Sequence, residues 1–120
     1  MLAVGAKSQN FNLNNVTINP NAAGDENSLI ISSGTLVHRE LSIEGLGYTW
    51  QIEFETWAGL DSAKYYYVYA RCSKTALVGT WQISETPIQA EQEVGFYNFN
   101  LGLLYAVNDD GYRDFGFTSR

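Results

Sequence analysis

The sequence predicts an all-β fold, an antiparallel β-sandwich of jelly-roll-like type with about seven to nine strands. Three observations carry that expectation. Apolar and polar residues alternate with period two over most of the chain, and no window holds a helical stripe longer than about two turns. Eleven glycines punctuate the chain at short intervals, while its two prolines, Pro20 and Pro87, fall between the apolar runs. Aromatics reach 14% against only 17% charged residues, a composition that suits a packed β core and argues against disorder.

The clearest strand is 47–57, GYTWQIEFETW. Tyr48, Trp50, Ile52 and Phe54 point one way, and Thr49, Gln51, Glu53 and Glu55 the other, as in a half-buried antiparallel strand. Trp57 falls on the polar side of this alternation unless a bulge intervenes. Residues 64–72, KYYYVYARC, are apolar on both faces, which predicts a central strand. SKTALVG then reads as a hairpin loop leading into 80–84, with Trp81 and Ile83 inward. Along 96–107, Tyr97, Phe99, Leu101, Leu103, Tyr105 and Val107 form one face, with Asn98, Asn100 and Gly102 on the other. NDDG at 108–111 is a tight turn, after which 112–118 returns beside the preceding strand. Shorter strands are expected at 9–18, 28–32 and 35–41, with a hairpin turn around Gly34 and a polar loop over 19–27.

The length of 120 residues fits one domain spanning 1–120 with a single core. The net charge of −6 leaves no basic patch to displace counterions from phosphate, so nucleic acid and anionic membrane surfaces are poor partners. No apolar run approaches the roughly 18 residues of a membrane span, so no membrane insertion is expected. The first ten residues lack the basic and apolar regions of a signal peptide. A single cysteine, Cys72, excludes an intrachain disulfide and reads as a small buried hydrophobe.

Residues for catalysis are scarce. His38 is the only histidine, so a two-histidine metal site is impossible, and no activated-serine context accompanies it. Glu53 and Glu55 lie about 7 Å apart by the strand rise, near the spacing of an inverting glycosidase pair. Both nevertheless fall on the polar side of their strand, where neither acid is held protonated. Asp109, Asp110 and Asp114 around the last turn could ligate calcium but lack the periodicity of a dedicated loop. Asp25 and Glu26 in the polar loop stand no better. No cofactor, no metal and no enzymatic activity are therefore expected.

The remaining functional signal is aromatic. An exposed Trp or Tyr offers a flat apolar face to a sugar ring, with amides and charged groups nearby to bond its hydroxyls. The candidate glycan platform is Trp57 with Gln51, Glu53 and Glu55. Tyr67 and Arg71 belong to a second row with Tyr65 and Tyr69, and Asn98 and Asn100 form a third. Coverage by a second sheet or a neighbouring subunit is the structural alternative for each row.

Four stretches also carry a resemblance: Tyr65 to Cys72, Gly79 to Trp81, Gly102 to Tyr105, and Asp110, Gly111, Arg113 and Phe115. In that order and spacing they resemble a domain of tail-fibre and other tail-associated structural proteins from phages and prophages of gut Bacteroidetes. There a tyrosine-rich strand ending in Arg/Lys-Cys precedes GTW, then G-(I/L)-L-Y, then DG-x-R-x-F. The likeness covers roughly residues 45–118. It implies a bead excised from a longer, usually trimeric fibre, located in the virion tail and extracellular when functioning. A bacterial surface glycan is the implied ligand, and no catalytic residue is carried over. Asp110 and Gly111 would make the turn, with Arg113 free to pair with Asp114 or an acid on a facing strand. A jelly-roll carbohydrate-binding module of a bacterial polysaccharide-degrading system is the alternative reading.

Overall fold

The structure, a computed structural model, describes residues 11–20, 28–38, 48–61, 64–108 and 111–116. These form ten strands: β1 (Phe11–Asn14), β2 (Ile18–Pro20), β3 (Leu29–Ile31), β4 (Gly34–His38), β5 (Thr49–Ile52), β6 (Glu55–Trp57), β7 (Tyr66–Ser73), β8 (Val78–Ser84), β9 (Phe96–Asn108) and β10 (Gly111–Gly116). A seven-stranded sheet runs β1-β4-β5-β8-β7-β9-β10, and a three-stranded sheet runs β2-β3-β6. The fold class is the expected one, all-β and sandwich-like. No helix among the described residues is long and apolar enough to cross a membrane.

The two sheets share a bent meander. Chain segments 11–20, 29–38 and 49–57 pair antiparallel throughout, β1-β4-β5 in the large sheet and β2-β3-β6 in the small one. Each segment changes sheet at one level, across 15–17, 32–33 and 53–54. Asn15 takes a positive φ of 62° there, in the left-handed region that asparagine tolerates better than most residues. Ser32 stitches the bend: its N–H donates to the Thr17 carbonyl (3.0 Å), and its hydroxyl accepts from the Thr17 N–H (2.8 Å). The residues read as strands 9–18 and 47–57 therefore each supply two strands.

This bend corrects three expectations. Phe54 is exposed, at 63%, because it falls in the break at 53–54, and Tyr48 is exposed, at 39%, at the residue before β5 begins. Gly34 opens β4 and is no hairpin turn, since β3 and β4 lie in different sheets. Pro20 ends β2 within the segment expected to be loop. It sits on an edge strand, where the missing N–H costs no central ladder bond.

The large sheet is mixed, not wholly antiparallel: β5 pairs parallel to β8 through Gln51–Val78 and Ile52–Gly79. Beyond that seam β8, β7, β9 and β10 pair antiparallel. The sheet curls on itself, so Phe11 of β1 reaches Phe99 of β9, ring to ring at 5.5 Å. His38 (5.4 Å), Trp50 (5.6 Å) and Tyr97 (5.9 Å) also surround the Phe99 ring. Rings at such distances add to the stabilisation from area burial alone. At the far edge β10 approaches β2. The core is thus enclosed between β1-β4-β5 and β8-β7-β9, with Leu29 and Ile31 of the small sheet completing it.

In β7, Tyr66, Val68, Ala70 and Cys72 are buried, and the alternate residues Tyr67, Tyr69, Arg71 and Ser73 are half-buried. In β9 the expected face is broken by a bulge. Val68 pairs with Gly102 and Tyr69 with Asn100, so Leu101 is an extra residue opposite the β7 backbone. The bulge resets the phase. Leu104, opposite Tyr66, enters the core, and Leu103, opposite Tyr67, turns to the outer face.

Burial pushes the Cys72 thiol well above its ordinary range, and the sulfur is enclosed in the core. A thiol reagent is expected to leave the native chain unmodified and to label it only on unfolding. Rapid stoichiometric labelling without denaturant, followed by mass spectrometry, would contradict this burial.

Candidate functional site

The outer face of β8-β7-β9 collects the polar and aromatic groups of the molecule into rows. Register places Ser84, Tyr67 and Leu103 side by side, then Gln82, Tyr69 and Asn100, then Thr80, Arg71 and Asn98. Directly opposed residues share a face and touch across strands, so two of the expected rows, the tyrosines and the asparagines, are neighbours.

Residues 85–95, which join β8 to β9, form a strap across this face. The β10 ladder reaches only as far as Leu103, leaving the earlier part of the β9 edge to the strap. The Asn98 N–H donates to the Ala90 carbonyl (2.8 Å), and the Asn100 side-chain amide donates to the Ile88 carbonyl (3.0 Å). Ile88 and Ala90 are buried. A turn returns the chain to β9, with the Phe96 N–H donating to the Glu93 carbonyl (3.3 Å) and Gly95 at φ 89°, a conformation that favours glycine.

Electrostatics fastens the strap. Arg71 donates two hydrogen bonds to the Glu93 carboxylate, Nε to Oε1 at 2.8 Å and Nη2 to Oε2 at 2.7 Å. Its guanidinium also lies over the Phe96 ring, 3.6 Å from the centroid. The bidentate bond holds the Glu93 carboxyl below its ordinary range and raises the already high guanidinium value. Lys74 pairs with Glu91 at 2.7 Å and lies over the Tyr97 ring, and Lys64 pairs with Glu85 at 3.2 Å. Tyr69 is shifted upward by burial first and by Glu93 second.

The expected platform divides between two places. Gln51 is exposed on the outer face of β5. Glu55 and Trp57 lie across from Ile31 and Leu29 in the small sheet, and Trp57 packs against the core. They do not share a strand face with Gln51, because the chain changes sheet at 53–54. Glu53 and Glu55 are both exposed. Tyr67 and Arg71 do share the outer face of β7, with Arg71 committed to Glu93. Among the described residues, no group of three or more His, Cys, Asp or Glu is placed to hold a metal. His38 is fully buried against Phe99. Asp25, Glu26, Asp109 and Asp110 lie outside the described residues, and Asp114 falls on β10. The strap residues Glu91 and Glu93 carry no periodicity. Their one sequence signal is an acid-rich turn facing the basic positions 64, 71 and 74.

Fold and site together define an all-β, sandwich-like module whose tyrosine-and-amide face is crossed by an ion-paired strap. No family model, curated protein or solved structure matches the chain.

Proposed function

We propose that the chain is a non-catalytic structural and host-surface-binding module of a phage tail fibre or related virion protein. In this reading it assembles as a homotrimer in the virion tail, works outside the cell and takes a bacterial surface glycan as ligand. The observation that carries the reading is the neighbourhood of the stretches that resemble that family. Tyr65–Cys72, Gly79–Trp81, Gly102–Tyr105 and Gly111–Phe115 map onto four strands adjacent in the order β8-β7-β9-β10, so the resemblance follows one continuous piece of sheet. A non-catalytic role is further supported by Glu53 and Glu55, both exposed, since inverting hydrolysis needs one carboxyl kept protonated by its surroundings.

The second reading, a carbohydrate-binding module, is favoured by Tyr65, 60% exposed, followed two residues later by the half-buried Tyr67. Size-exclusion chromatography with light scattering, then a glycan array on the same sample, separates the two. A trimeric mass with glycan binding is expected for the fibre module. A monomer that binds glycan favours the second reading, and a monomer that binds none overturns both.

A further inference from the structure

We propose that the 85–95 strap is a releasable lid, which opens ahead of the rest of the fold and bares the tyrosine-and-amide face of β7 and β9. The inference stands apart from the fibre reading and rests on how the strap is held. All three of its glutamates, Glu85, Glu91 and Glu93, are paired with cations, and those cations are every Lys and Arg between 48 and 104. Further restraints come from β9, through the Asn98 backbone and side chain and the Asn100 side chain, and from the Lys74 N–H, which donates to the Gly95 carbonyl. Only Ile88 and Ala90 are buried from the strap. Such an element opens locally at a fraction of the global unfolding free energy, because little apolar area is lost.

Closure also strands a polar group. Asn98 is 1% exposed, its amide donates weakly to the Gln89 carbonyl (3.4 Å), and its Oδ1 accepts no hydrogen bond among the described residues. Burying an acceptor without a donor penalises the closed state, and opening returns that oxygen to water. The covered face therefore has a built-in bias towards release, opposed by the glutamate pairs.

The pairs give the lid its control. Among the described residues, the charged and titratable groups at the lid are Lys64, Arg71, Lys74 and Tyr69 from β7 and its flanks, with Asp61 and Tyr66 near Lys64 and Tyr97 of β9 beneath Lys74. Glu93 is held low by Arg71, so its pairing is fully present above the ordinary glutamate pKa of about 4.3. The pairing is lost as pH falls through the lower folded value. Acid weakens the lid, and neutral pH keeps it shut.

Native-state hydrogen exchange on the folded chain near neutral pH tests this, with rates corrected for intrinsic exchange. In a triple Glu85→Gln, Glu91→Gln, Glu93→Gln variant, the Asn98 and Lys74 amides, bonded to the Ala90 and Gly95 carbonyls, are expected to exchange about tenfold faster. The Val68 and Trp81 amides should keep their protection. Unchanged exchange at Asn98 and Lys74 overturns the proposal, and so does a uniform rise across all four amides. A second comparison keeps the test independent of charge removal. Glu93→Arg alone should speed the two lid amides, and adding Arg71→Glu should restore them. Failure of that restoration shows that the pair does not hold the lid.

Discussion

Replacing Trp81 with alanine is expected to destabilise the chain by about 3–5 kcal/mol, the range for truncating a large buried aromatic. Trp81 is 1% exposed in the core, and it is also tied to the bend of the meander. Its indole N–H donates to the Ser32 carbonyl at 3.1 Å, and Ser32 joins segments 11–20 and 29–38 where they change sheet. Truncation therefore opens a cavity and leaves a carbonyl at the bend without its donor. Trp81→Phe separates these effects: it keeps most of the apolar ring and removes the N–H. Its expected cost is about 0.5–1.5 kcal/mol, the net contribution of a hydrogen bond to a half-buried acceptor. Urea unfolding with an unchanged m-value would measure both losses. A loss under about 1 kcal/mol for the alanine variant would contradict the packing of Trp81 against this bend.

The sequence showed strand positions well and sheet membership poorly, and particular residues explain why. Tyr66, Val68, Ala70 and Cys72 alternate with half-buried partners, and β7 itself pairs with β8 without a register shift, so period two sufficed for β7. Across 47–57 the one mark of the break was Trp57, out of phase with the alternation, and it did not reveal that the chain leaves one sheet at 53–54 for the other. Alternation records which side a residue faces, not which sheet it belongs to. The phase change in β9 was hidden because the bulged residue is Leu101, an apolar residue among apolar residues. The β5–β8 parallel seam joins residues far apart in sequence, so no local pattern encodes it. On the candidate site, the Tyr67 and Arg71 row and the Asn98 and Asn100 row were legible as alternating faces. Their neighbourhood was not, since it depends on the β7–β9 register. The strap was the least legible element, being held by ion pairs and side-chain amides in a segment without periodicity.

Replacing Gly34 with alanine is expected to cost about 1–3 kcal/mol, the penalty for forcing added atoms into a closed site. Gly34 begins β4 immediately after the bend, opposite Ile52, and segment 14–16 crosses directly over its Cα. A Cβ there would meet the Val16 side chain and lie 2.7 Å from the Asn14 carbonyl oxygen and 3.0 Å from that of Asn15. Val16 can rotate aside, but the two carbonyls belong to backbone that pairs with β4 and passes through the positive φ of Asn15. Close approach, not turn geometry, thus demands glycine at this point. The two contributions are separable by combining Gly34→Ala with Val16→Ala. Removing the valine methyls relieves the side-chain clash and leaves the carbonyl clash in place. The double variant should therefore recover only part of the loss beyond the cost of Val16→Ala alone, a coupling that a double-mutant cycle isolates. If Gly34→Ala changed stability by less than about 0.5 kcal/mol, as an ordinary surface substitution does, the crossing of segment 14–16 over β4 would be wrong. The shared bend that joins the two sheets would then fall with it.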